Sequence, residues 1–123
     1  MSPATPDQIN LAYALEDLLQ RHHQGAADGL TAKQLAARFT CSERDVRHAV
    51  VHLRTQGKPI GAQPKSGYYW CVSAAELEAT YEFLKARMVR TALQMSKLKN
   101  IALPDIFGQL QIDLTPTLQK ETA

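Results

Sequence analysis

The sequence predicts a mainly α fold that carries one small β-hairpin and ends on a long helix. Three observations predict it. Four segments open with a hydroxyl residue followed three places later by Gln, Asp or Glu: Thr5–Gln8, Thr31–Gln34, Ser42–Asp45 and Ser73–Glu76. That spacing lets each side chain satisfy a backbone N–H that a helix start leaves open. Apolar residues behind each start recur three and four places apart, the period of a helix with one buried face. Between the third and fourth segments this period gives way to two short aromatic and β-branched runs around a turn, as a hairpin requires.

The first helix begins after Thr5, with Pro6 at the first helical position, where its missing N–H costs nothing. Ile9, Ala12, Tyr13, Leu15, Leu18, Leu19 and His22 follow at helical spacing, and the helix ends near His23. Gln24–Leu30 holds two glycines and reads as a loop. A short second helix runs from Ala32 to about Phe39, turning Leu35, Ala36 and Phe39 inward. Thr40-Cys41 is a tight connection. The third helix starts after Ser42, carries Val46, Ala49, Val50 and Leu53 on its apolar stripe, and ends near Gln56, with Gly57 a ready left-handed stop. Pro59–Ala62 and Tyr68–Val72 are the two strands, with Gln63–Gly67 as their turn. The fourth helix runs from Ser73 to about Asn100. Its early Glu76, Glu78 and Glu82 and later Lys85, Arg87, Arg90, Lys97 and Lys99 complement the helix dipole. Three segments follow from this order: 1–72, 73–100 and a tail, 101–123, with Pro104, Pro116 and one short apolar patch.

The 123 residues are 45% apolar and 21% charged, ordinary values for a globular chain. No apolar run has the roughly 18 residues of a membrane span, and no membrane partner is expected. The start, MSPATPDQ, lacks the basic and apolar parts of a secretion signal. Cys41 and Cys71 make no disulfide framework, so a reducing, cytoplasmic setting is expected, with both thiols packing as small apolar groups. His48 and His52 stand four apart, but no HExxH or paired CxxC accompanies them, so no metal or other cofactor is expected. A glycine-rich phosphate loop and a nucleophile elbow are both missing from the sequence, and an enzyme is not expected. The net charge of +2 conceals an uneven distribution. Residues 1–30 set Arg21 against Asp7, Glu16, Asp17 and Asp28. Residues 31–72 set Lys33, Arg38, Arg44, Arg47, Arg54, Lys58 and Lys65 against Glu43 and Asp45, a net +5. This basic middle third is the electrostatic footprint of a polyanion partner, or else a solvated face.

The pattern Leu35-Ala36-x-x-Phe39-Thr40-Cys41-Ser42-x-x-x-Val46-x-x-Ala49 supplies what two helices crossing steeply through a short turn need. Ala36 is small enough for the crossing point. Leu35, Phe39, Cys41, Val46 and Ala49 bury the shared face, and Ser42 restarts the chain. This is helix-turn-helix geometry, with Thr40 where such turns often hold glycine. The hairpin that follows makes the chain resemble winged helix-turn-helix DNA-binding domains of bacteria and phages, and it is similar to the N-terminal domain of the biotin repressor and to small phage regulators. The residues that carry the resemblance are Leu35-Ala36, Cys41-Ser42, Val46-Arg47, Leu53-Arg54-x-x-Gly57 and Ser66-Gly67-Tyr68-Tyr69-Trp70, and it covers about residues 10–80. No biotin-ligase sequence follows in the chain, so no ligase activity is implied.

The resemblance implies sequence-specific binding of double-stranded DNA by a small regulator or DNA-metabolism accessory factor in a bacterial or phage-infected cell. Opposite the apolar stripe of the third helix lie Glu43, Arg44, Arg47, His48 and Val51, with His52 beside them; in the family these positions face the groove. Arg47 suits a guanine edge, His48 a base edge and Val51 a thymine methyl. Ser42 and Arg44 at the helix start, with Lys33, suit phosphates. Lys58, Lys65 and Ser66 flank or occupy the wing turn and suit phosphates or a minor groove. Arg47 has a structural reading too, pairing with Glu43 one turn away. Of the wing aromatics, Tyr69 or Trp70 is expected to pack the strand on the core. The alternative class is a protein-interaction module whose winged helix binds a replisome or RNA polymerase partner.

Leu77, Tyr81, Leu84, Met88, Thr91, Met95 and Leu98 are spaced 4, 3, 4, 3, 4, 3 along the fourth helix. They form either a homodimer seam, as heptad positions do, or a face packed on the chain's own first helix; the dimer is the expectation. In the tail, Gln109, Leu110, Ile112 and Leu114 stand as in the hexapeptide by which bacterial replication proteins dock on the sliding clamp, with Asp113 where proline is frequent. The other reading folds Ile106, Phe107, Leu110 and Leu114 back over the domain.

Overall fold

The structure, a computed structural model, describes residues 5–102, 104–106 and 108. Helices α1 (Pro6–His22), α2 (Ala32–Phe39) and α3 (Glu43–Thr55) precede strands β1 (Ile60–Gln63) and β2 (Gly67–Trp70), and α4 (Ala74–Lys99) follows. The residues group into two compact units that meet at Phe83 and Leu84, inside α4.

In the first unit three helix starts are closed as the sequence predicts. The Gln8, Gln34 and Asp45 backbone N–H groups donate to Thr5 Oγ1, Thr31 Oγ1 and Ser42 Oγ at 3.2, 3.1 and 3.0 Å. In return the Gln8, Gln34 and Asp45 side chains accept from the N–H groups of Thr5, Thr31 and Ser42. The fourth start differs. Ser73 Oγ accepts from the Glu76 N–H at 3.2 Å, but the Glu76 carboxylate takes the N–H groups of Val72 and Ala26 instead. It therefore ties the loop after α1 to the head of α4.

α1 and α2 both pack on α3. Ala12, Leu15, Leu18, Leu19, Leu35, Val46, Ala49, Val50, Leu53 and Ile60 form one buried cluster, with Phe39 and Cys41 beside it. Burial of a large aliphatic side chain stabilises by about 1.5–3 kcal/mol, so this cluster dominates the fold. β1 and β2 pair antiparallel with Ile60 opposite Trp70 and Gln63 opposite Gly67. Tyr69 is fully buried, and Tyr68 and Trp70 pack partly buried against the cluster. Thr80 of α4 is anchored here, its hydroxyl accepting from the Ala62 N–H at 3.1 Å.

Gln24–Leu30 is more ordered than a loop. Gln24 bridges Trp70 and Leu30 bridges Tyr68, with a single 3-10 turn, Ala26–Asp28, between them. The hairpin thus has a third, broken edge. Gly67 adopts φ +74°, and a Cβ on it would run into the Leu30 backbone, while one on Gly29 would run into Ser66. Glycine is what lets the two segments close.

In the second unit, α4 stops at Asn100, which is left-handed at φ 55°. The Ile101 N–H donates to Ser96 O at 3.0 Å, and the Ser96 hydroxyl donates to Ile101 O. Pro104, Asp105 and Ile106 are helical and Ile106 is buried, so the described start of the tail is ordered. Gln109, Leu110, Ile112 and Leu114, and Phe107, lie outside the described residues.

Candidate nucleic-acid interface

The turn between α2 and α3 is built on Thr40. It sits in the left-handed region at φ 53°, and its N–H donates to Ala36 O, as does that of Cys41 at 3.0 Å. A β-branched residue here costs about 1–2 kcal/mol relative to glycine's freedom, and the buried contacts of Leu35, Ala36 and Val46 hold it in place. Ser42 then caps α3. Its N–H is 3.1 Å from Asp45 Oδ2. That N–H and the Ser42 hydroxyl hold the Asp45 carboxyl below its ordinary value.

The resulting helix is divided cleanly. Val46, Ala49, Val50 and Leu53 are buried, while Glu43, Arg44, Arg47, His48 and Val51 share the exposed side. Val51 is 58% exposed, an apolar group that no part of the core uses. Arg47 Nη2 lies 3.7 Å from Glu43 Oε1, both side chains open to water. Such a pair is worth a few tenths of a kcal/mol, so it restrains Arg47 only weakly. A guanidinium, an imidazole and a branched methyl pair on one exposed helix face match the chemistry of a guanine edge, an adenine or guanine N7 and a thymine methyl. His52, in contrast, is half-buried with Nε2 out of solvent, and drops out of this face.

The other sequence-predicted positions lie elsewhere. Lys33 is exposed on the first turn of α2, and Lys65 is exposed at the tip of the hairpin turn beside half-buried Ser66. The Lys58 ammonium is 3.2 Å from Glu16 Oε2 of α1. It joins the linker after α3 to the first helix, a structural task that the sequence reading did not assign to it. Arg54, a member of the motif and of the basic block, has its Nε donating to Ile60 O at 2.9 Å, which fixes how the hairpin leaves α3. A basic residue in the last helical turn before a strand was the one available signal. Cys41 and Cys71 are free, and burial pushes both thiols up, as expected of packing rather than reactive groups. Among the described residues no group of three or more His, Cys, Asp or Glu is placed to hold a metal ion, and no helix is long and apolar enough to cross a membrane.

Residues 15–69 match the family of the HTH domain. No curated protein and no solved structure matches the chain. The matched segment runs from the middle of α1 to the buried Tyr69 of β2, and so takes in the α2–α3 turn, the exposed face of α3 and the hairpin. Residues 15–69 thus carry the helix-turn-helix pattern in its winged form, helices followed by a two-stranded hairpin.

Proposed function

We propose that the protein is a sequence-specific double-stranded DNA-binding regulator of the bacterial and phage type, with α3 as the helix that enters the major groove. One observation carries this reading: α3 exposes Arg44, Arg47, His48 and Val51 together while its opposite side is wholly committed to the core. Arg47 leaves its loose pair with Glu43 and takes a guanine edge; His48 and Val51 read neighbouring positions. Arg44, Lys33 and Ser42, grouped at the starts of α2 and α3, meet phosphates. Lys65 at the wing tip adds a contact that carries no sequence information. The protein works as a homodimer through α4, because the stripe from Leu77 to Leu98 is exposed and a pair of copies matches two half-sites.

Selection from a pool of random duplexes, followed by titration of the selected site across salt, tests this. A recurring sequence emerges, and log K falls linearly with log salt, with a slope set by the number of phosphates neutralised. Binding that is insensitive to salt, or a pool that never converges, contradicts it.

A further inference from the structure

Two features of α4 are independent of each other. The first is apolar: Leu77, Tyr81, Leu84, Met88, Met95 and Leu98 are between 37% and 86% exposed, on heptad positions of which Thr91 is the one polar member. Single exposed apolar residues are ordinary, but an ordered stripe of six marks a surface that another body covers. The second is charge. From Ala74 to Phe83 the helix has acids and no bases, Glu76, Glu78 and Glu82; from Leu84 to Lys99 it has bases and no acids, Lys85, Arg87, Arg90, Lys97 and Lys99.

From these we infer that the body covering α4 is a second copy of α4, laid antiparallel. The inference rests on the dimer reading above and adds its direction. A parallel pair sets three carboxylates against the same three and five cations against the same five. An antiparallel pair sets each acidic end against a cationic one, so orientation is chosen by charge while the stripe supplies the contact area. The heptad positions agree. In an antiparallel pair the two kinds of seam position meet each other, which brings Leu77 to the partner's Met95, Tyr81 to the partner's Thr91 and Leu84 to the partner's Met88. Thr91 is no obstacle, because its hydroxyl already donates to Arg87 O at 3.0 Å and enters the seam satisfied. At about 1.5 Å per residue, Leu77 and the partner's Leu77 lie roughly 27 Å apart along the seam. The two winged domains therefore leave the seam at opposite ends.

Cysteine cross-linking tests the direction. In a chain with Cys41→Ala and Cys71→Ala, whose fold is checked by circular dichroism, Leu77→Cys, Met95→Cys and Leu98→Cys are made singly; all three sites are exposed, so the fold tolerates them. Mild oxidation of Leu77→Cys mixed with Met95→Cys or Leu98→Cys yields the mixed covalent dimer as the main product, and Leu77→Cys alone yields little. Efficient self-cross-linking of Leu77→Cys overturns the antiparallel direction. A wild-type chain that sediments as a monomer at tens of micromolar overturns the pairing altogether. Duplex binding by that same wild-type sample is read separately, so loss of the seam and loss of DNA binding are told apart. Charge exchange gives a second route without cysteines: Glu78→Lys with Glu82→Lys weakens dimerisation several-fold, and adding Lys97→Glu with Lys99→Glu restores it. Failure of the four-residue exchange to restore pairing also counts against the inference.

Discussion

α3 and α4 repeat apolar residues at the same spacing, yet they use the repeat oppositely. The 13-residue α3 buries Val46, Ala49, Val50 and Leu53 against α1 and α2 and turns its charged side outward. The 26-residue α4 anchors itself through Thr80 and leaves its apolar side in water, with Thr80 and Ala92 its buried residues. An apolar stripe therefore says that a helix has a covered face but not whose atoms cover it. For α3 the answer lies in the same chain, and the polar face is the one left free for the proposed DNA contact. For α4 the apolar face is the one on which the proposed dimer rests.

The largest effect is expected from matched truncations. Leu53→Ala empties a fully buried site and should cost about 2–5 kcal/mol in denaturant unfolding. Leu84→Ala, on an exposed site, should leave the unfolding midpoint of a dilute, monomeric sample within about 0.5 kcal/mol and weaken self-association instead. Equal losses at both positions would mean that α4 is covered by its own chain.

A smaller effect of opposite sign is expected in the turn. Thr40→Gly relieves a left-handed β-branched residue, about 1–2 kcal/mol, against about 0.5–1 kcal/mol of added chain entropy. The net expectation is a stabilisation of about 0–1.5 kcal/mol, visible as a rise of up to a few degrees in Tm. A lower Tm would mean that the Thr40 side chain contributes packing that outweighs its strain.

The smallest effect belongs to Asp45. Its carboxyl titrates below its ordinary value of 3.8 because the Ser42 N–H and hydroxyl favour the charged form. The stabilisation is complete above that ordinary value and is lost as pH falls through the lowered one. Asp45→Asn should be less stable than wild type at neutral pH, and the two stability curves should converge as pH falls through the lowered value. Parallel curves would show that the cap does not depend on charge.

Much of this contrast was legible in the sequence. The capping pairs placed the helix starts, α2 is bounded by Ala32 and Phe39 as its pattern predicts, and the change of period located the hairpin to within a residue or two. The exposed face of α3 followed from the positions of Val46, Ala49, Val50 and Leu53. What escaped was made of single residues acting across long separations. The bridges from Gln24 and Leu30 to β2 have no periodicity to announce them. Glu76 was read as closing its own helix start, while its carboxylate reaches fifty residues back to Ala26. Lys58 was read as wing charge, but Glu16, far off in sequence, lies within 3.2 Å. Local patterns announce elements; pairings between elements depend on a tertiary arrangement that no window of sequence contains.

In the proposed binding mode α3 reads bases while the wing holds the backbone. Wild type, Arg47→Ala and Lys65→Ala, titrated on a selected duplex and on its scrambled counterpart, test it most directly. Arg47→Ala should lose about 1–3 kcal/mol on the selected duplex and little on the scrambled one, so that discrimination shrinks. Lys65→Ala should weaken both duplexes alike and reduce the salt slope by about 1. If Arg47→Ala binds both duplexes as wild type does, α3 does not read DNA and the account fails.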